Sequence, residues 1–141
     1  MRNFKDKVVV ITGAGSGIGK SLAIQFANLG CHLAIADNSM DTLQETKKQI
    51  TNITNNFSVH HLDVSNRNEV QLFVDEVINA HSKVNILINN AGVTLLDRME
   101  YGNIDEFKWL MDINFYGVIY GVTMFLPYLK NAEEAHIVNI S

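Results

Sequence analysis

The 141-residue chain has one cysteine and one proline, and it carries fewer basic than acidic side chains, 11 against 15. A lone Cys31 excludes an internal disulfide and any multi-cysteine metal site. It lies in an apolar stretch, which marks it as a buried thiol. Apart from Pro127 there is no proline to build a linker, and no sequence repeats, so residues 1–141 read as one domain. A net charge of -4 argues against a nucleic-acid partner, which would favour a basic face. The apolar run Val8 to Ile11 is short and follows Arg2, Lys5, Asp6 and Lys7. It therefore resembles neither a signal peptide nor a transit peptide, and with Met1 read as the start the expectation is a cytoplasmic protein. Ile113 to Leu129 is uncharged but shorter than the ~20 residues a bilayer requires. It also contains Asn114, Gly117, Gly121 and Pro127, so a core or subunit-interface helix is expected and no membrane span. The matches to the glycosylation acceptor pattern at Asn52, Asn56 and Asn139 are read as chance. His32, His60, His61, His81 and His136 show no metal-ligand spacing, which predicts surface or strand-end histidines and no metal.

What is present is a regular alternation. Val8 to Ile11 is a continuous β-branched run, as in a parallel strand covered on both faces. Ile18, Leu22, Phe26 and Leu29 follow at helical spacing, closed by Gly30. Leu33 to Ala36 is a second strand. Met40, Leu43, Lys47 and Ile50 sketch a helix, and Phe57 to Leu62 a third strand. Ser65 or Asn66 caps a helix whose stripe is Val70, Phe73, Val74, Val77 and Ile78. Val84 to Ile88 is a fourth strand. A long helix from Asp105 to Leu126 precedes Pro127, which should kink or end it. Ile137 to Ile140 is the fifth strand. Alternating strands and helices predict an α/β fold with a doubly wound parallel sheet and right-handed crossovers, a Rossmann fold cut off after the fifth strand.

The sharpest local signal is Thr12-Gly13-Ala14-Gly15-Ser16-Gly17-Ile18-Gly19, between the first strand and the first helix. Glycines there permit a tight turn and close approach of a pyrophosphate, and the helix start offers free N–H groups and partial positive charge. The spacing, Gly13, Gly17 and Gly19, is not the commoner Gly-x-Gly-x-x-Gly. Gly19-Lys20-Ser21 resembles the end of a P-loop, but Ala14 stands where that motif needs its first glycine. Asp37 ends the second strand, where a carboxylate can accept both ribose hydroxyls of an adenosine and repel a 2′-phosphate. Neither Asn38 nor Ser39 offsets that repulsion, so NAD is favoured over NADP; the bland reading is a solvated turn aspartate.

With these residues in place, the whole chain resembles the short-chain dehydrogenase/reductase family. The loop Thr12 to Gly19 is similar to the family's glycine motif. Asp63-Val64 resembles the pair that contacts adenine, although Asp63 could instead cap the next helix. Asn89-Asn90-Ala91-Gly92 resembles the motif that supports the sheet and lines the cofactor ribose. Asn114, in MDINFYGVIYG, resembles the active-site asparagine, although a satisfied core amide would look the same. Ile137 to Ser141 resembles the strand that leads to the catalytic serine, with Ser141 matching the first serine of the family's pair, whose second usually works. The resemblance implies a nicotinamide-dependent interconversion of an alcohol and a carbonyl, a small-molecule substrate and a homo-oligomer. It also implies a Tyr-x-x-x-Lys pair. The tyrosines are Tyr101, Tyr116, Tyr120 and Tyr128, and the positions four residues on hold Asp105, Tyr120, Met124 and Ala132. The pair is absent from these residues, so the chain alone is expected to be inactive. A non-catalytic dinucleotide-binding module, and other Rossmann chemistry such as an epimerase or methyltransferase, remain as alternatives.

Overall fold

The computed structural model describes residues 1, 3–95 and 102–141; Tyr101 lies outside them. Five parallel strands form one sheet: β1 Val8–Thr12, β2 His32–Asp37, β3 Phe57–His61, β4 Ile86–Asn89 and β5 His136–Asn139. Their spatial order is β3-β2-β1-β4-β5. Helices α1 Gly17–Asn28, α2 Met40–Thr51 and α3 Arg67–His81 connect the first four strands. After β4 the chain forms α4 Ile104–Met111, a π-helical turn Asp112–Tyr116 and α5 Gly117–Lys130, which run on as one helix.

The sheet is buried because its strands are apolar on both faces. Val9, Ile11, Leu33 and Ile35 pack with Ala23 and Ala27 of α1 and with Leu43 and Ile50 of α2. Val10, Ala34, Ala36 and Leu87 point to the other layer, against Val70, Phe73, Val74 and Val77 of α3 and Phe125 and Leu129 of α5. The two layers are those of a doubly wound fold, and the strand order reverses between β1 and β4, where such folds form a crevice.

Most element positions follow the sequence reading, and the departures have local causes. Gly30 ends α1 with φ +78. Cys31 is buried, its thiol donates to the Phe4 carbonyl at 3.2 Å, and burial pushes its pKa up to about 11. Asn66, not Ser65, caps α3, its side-chain oxygen accepting from the Asn68 and Glu69 amides. On α2 the inward residue is Thr46, not Lys47, because Leu43, Thr46 and Ile50 share one face. β4 starts two residues late: the Asn85 side-chain oxygen takes the Val8 amide at 3.0 Å. Pro127 does not end its helix, which continues to Lys130. Pro127 and Thr123, whose carbonyl loses its donor, are both exposed, so water can replace the missing bond. The helix from Ile104 to Lys130 is 27 residues, long and apolar enough by length and composition to cross a membrane, contrary to the shorter span read from the sequence. Its place is set by packing: Gly117, Gly121, Phe125 and Leu129 are buried against the domain.

His61 and His136 are exposed at strand ends, as expected; His60, next to the end of β3, departs from a surface reading. His60 is buried, its Nδ1 2.6 Å from Glu76 Oε2 and its Nε2 2.7 Å from Ser58 Oγ. Ser58 Oγ lies 2.8 Å from His81 Nε2. His60 stacks edge-on against Phe73 at 5.0 Å, which keeps this polar chain under α3. Burial, then the neighbouring His32 and His60, hold the His81 pKa below its ordinary 6.5. The folded chain therefore resists protonation of His81 while the unfolded chain accepts it. Stability is full above about pH 6.5 and declines as the pH falls toward the depressed folded value. Urea unfolding at about pH 7.5 and about pH 5.5 is expected to show a lower midpoint in acid, with a smaller drop in His81→Gln; equal drops would refute this assignment.

Candidate functional site

At the carboxyl ends of β1, β2 and β4 lies a cleft of about 770 Å³. Of the residues singled out in the sequence, Gly13, Ser16, Gly17, Ile18, Asp37, Asp63, Val64, Asn90, Ala91, Gly92 and Asn114 line it. Gly15 and Gly19 do not; they stand behind the lining and let it pack.

The glycine loop is held from two sides. Gly13 has φ +65, and a Cβ there would lie 2.8 Å from the Ala91 Cα, so only glycine brings β1 and β4 this close. The Thr12 hydroxyl accepts the Asn90 and Ala91 amides, each at 3.1 Å. The Asn90 carboxamide donates back to the carbonyls of Thr12 at 3.1 Å and Gly13 at 3.0 Å. A Cβ on Gly19 would collide with the Gly13 carbonyl and the Asn90 carboxamide. On the other side, the Gly15 amide donates to Asp37 Oδ2 at 2.8 Å and the Ala14 amide to the Ala36 carbonyl at 3.0 Å.

The helix that follows differs from its neighbours. Ser39, Asn66 and Asn103 cap α2, α3 and α4 with their side chains, whereas Ser16 makes no side-chain cap to α1. The first turn of α1 therefore keeps amides with no side chain to accept from them, next to Ser16 and Gly17 in the cleft wall.

Asp37 is held at both oxygens, by Gly15 and by the Ser39 amide on Oδ1 at 3.0 Å. Asp63 does not cap α3. Its Oδ1 accepts from the Ser65 amide at 2.9 Å and the Ser65 hydroxyl at 2.6 Å, while its own amide donates to Glu69 Oε2 at 2.9 Å. That turn places Asp63 and Val64 in the wall beside Asp37.

Asn114 sits in the π-helical turn, a local widening often found at functional sites. Its Oδ1 accepts from the Val93 amide at 2.8 Å and its Nδ2 donates to the Val93 carbonyl at 2.7 Å. The side chain thus fixes the segment after Gly92 and faces the same cleft, as do Ile140 and Ser141. Sequence reasoning missed Asn85 and Thr46, whereas Asn89 belongs to the motif read as supporting the sheet. Asn89 is buried and donates to Asn139 Oδ1 at 2.9 Å, tying β4 to β5. Thr46 reaches from α2 to the Ala14 carbonyl at 2.9 Å. Its sequence signal is the spacing Leu43, Thr46, Ile50 on the inward face of α2, where the sequence reading put Lys47.

A crevice at the strand-order reversal, walled by a glycine loop, an uncapped helix start and a strand-end carboxylate, defines a doubly wound nucleotide-binding fold. Residues 7–141 match the sequence profile of the short chain dehydrogenases, and the chain belongs to that family. It is similar to an uncharacterised oxidoreductase of Staphylococcus saprophyticus, 33% identical over all of this chain and 56% of that protein. It is 37% identical to 11-beta-hydroxysteroid dehydrogenase A of Sesamum indicum, over 94% of this chain and 38% of the relative. Among solved structures, a short-chain dehydrogenase/reductase of Burkholderia phymatum in complex with NAD superposes with a TM-score of 0.94 at 38% identity, covering 99% of this chain and 50% of that one. The chain spans about half the length of most of these proteins.

Asn90→Ala would leave two loop carbonyls without a donor. It is expected to lower unfolding stability by about 1–3 kcal/mol in urea titration, more than Asn68→Ala at an exposed residue of α3; equal effects would refute the clamp.

Proposed function

We propose that this chain is the dinucleotide-binding half of an oxidoreductase that interconverts an alcohol and a carbonyl on a small-molecule substrate. The carrying observation is the uncapped start of α1, set beside Gly13 at the crevice and one strand away from Asp37. The residues fit a nicotinamide dinucleotide. The amides opening α1 and the Cβ-free surface at Gly13 would take the diphosphate. Asp37 would accept the adenosine ribose hydroxyls, Asp63 and Val64 would flank the adenine, and Ala91 and Gly92 would face the second ribose. When bound, the cofactor supplies hydride transfer. Asn114 holds the Val93 backbone at the other end of the cleft.

Asp37 favours NAD over NADP, since a carboxylate repels a 2′-phosphate and neither Asn38 nor Ser39 is basic. The NAD complex of the Burkholderia phymatum relative supports the same choice. No Tyr-x-x-x-Lys pair occurs in these residues, so the acid/base step has no agent here.

Calorimetric titration with NADH is expected to give binding that is weakened about tenfold or more in Asp37→Ala, with NADPH gaining relative to NADH. Undetectable heat from folded chain would refute the site. Mixing NADH with a panel of ketones is expected to give no oxidation; steady turnover would refute the assignment of the missing step.

Ile104, Trp109, Met111, Phe115 and Ile119 are exposed on the helix after β4, and Ile137, Val138 and Ile140 on and beside β5. These surfaces support self-association. Sedimentation is expected to show species heavier than 15.8 kDa, and a clean monomer at micromolar concentration would count against it.

A further inference from the structure

We propose that Thr46 is a positioning residue for the dinucleotide site, acting from helix α2 through the glycine loop on Asp37; this rests on the reading above that the loop and Asp37 hold a dinucleotide. Thr46 is fully buried, and its hydroxyl donates to the Ala14 carbonyl at 2.9 Å, with the Gly15 carbonyl further away at 3.4 Å. All peptide bonds described are trans. In a planar trans peptide the N–H points opposite to the C=O. The plane joining Ala14 to Gly15 is therefore pinned at both ends, its carbonyl by Thr46 and its N–H by Asp37 Oδ2 at 2.8 Å. The next plane brings its carbonyl within 3.4 Å of the same hydroxyl, so Thr46 also restrains the peptide that leads to Ser16 in the cleft wall.

Space makes the device stiff. A Cβ on Gly15 would collide with the Thr42 hydroxyl and lie 2.9 Å from Asp37 Oδ2, so the loop, α2 and the carboxylate are already in close contact. Thr42 does not duplicate Thr46, since its hydroxyl donates to the Ser39 carbonyl at 3.1 Å. Removing the Thr46 hydroxyl leaves a buried carbonyl without its donor and frees the plane to rotate. The Gly15 amide then no longer holds the carboxylate in one orientation. A residue that never meets the cofactor thereby governs both its affinity and the choice between NADH and NADPH.

The test uses the full chain as wild type, Thr46→Val, Thr46→Ser and the control Thr51→Val, where Thr51 is exposed at the end of α2 and its hydroxyl donates to the Lys47 carbonyl. Thr46→Val keeps the shape and removes the donor. It is expected to bind NADH about fivefold more weakly or worse, and to lose part of the wild-type preference for NADH over NADPH. Thr46→Ser and Thr51→Val are expected to match wild type. A merely structural role would weaken both dinucleotides alike and leave their ratio unchanged. In folded Thr46→Val the Gly15 amide is expected to exchange with solvent faster than in wild type. Unchanged affinity and ratio in folded Thr46→Val overturn the role of Thr46 alone, as does impaired ratio in Thr46→Ser, which is informative even if the valine variant does not fold. Absence of NADH binding by wild type removes the dinucleotide site itself, and this role with it.

Discussion

The reciprocal hydrogen bonding between Thr12 and Asn90 is the interaction on which the site depends. Two strands that diverge into loops going to opposite faces of the sheet would leave a ragged gap at their ends. Here one hydroxyl accepts two amides from β4, and one carboxamide supplies two donors to the carbonyls leaving β1. Four bonds close the seam with no charged group. Gly13 and Gly19 make that closure possible, because a side chain at either would occupy the volume the carboxamide and the Ala91 backbone fill. The glycines of the loop thus serve two needs. Gly13 and Gly17 line the cleft, while Gly15 and Gly19 let the scaffold close behind it.

Asp37 shows how backbone amides can order a carboxylate without using all of its acceptor capacity. Each carboxylate oxygen offers about two acceptor directions. One on each is taken by a backbone amide, Gly15 on Oδ2 and Ser39 on Oδ1. The remaining direction on each stays open to two adjacent hydroxyls. Ordering the group in advance lowers the conformational entropy lost on binding. The uncapped start of α1 works in the opposite sense. α2, α3 and α4 each satisfy an early amide with their own Ser39, Asn66 or Asn103, and α1 does not.

Much of this could be read from the sequence, for a physical reason. Strands buried on both faces must be apolar throughout, so β1 and β2 announce themselves, and glycines at a strand-to-helix turn mark the crevice. Buried polar residues are harder to read. Asn85 and Thr46 lie among apolar neighbours, and only three-dimensional partners distinguish them from solvated ones. The same blindness affected His60. The expectation of a surface or strand-end histidine rested on the absence of metal-ligand spacing, which says nothing of burial; His60 lies next to the end of β3, with Glu76 and Ser58 satisfying both ring nitrogens inside. Pro127 was over-read because a missing N–H matters little where the orphaned carbonyl meets water.

Burial also divides the cleft. β1, β2 and β4 are covered on both faces, and they carry the glycine loop, Asp37 and Asn90. β5 is exposed along its whole length, although Ile137, Val138 and Ile140 are as apolar as the buried strands. A parallel strand of that composition is built to be covered on both sides. The chain spans about half the length of the relatives it resembles, and the uncovered surface lies where its own residues supply no second layer. The end of the cleft that carries the glycine loop and Asp37 rests on strands buried on both faces. The opposite end, where Asn114 meets Ile140 and Ser141, rests on a strand held by one neighbour. Local openings are easiest where buried contacts are few. The glycine-loop end of the cleft therefore stands on strands buried on both faces, and the Asn114 end stands beside an exposed one.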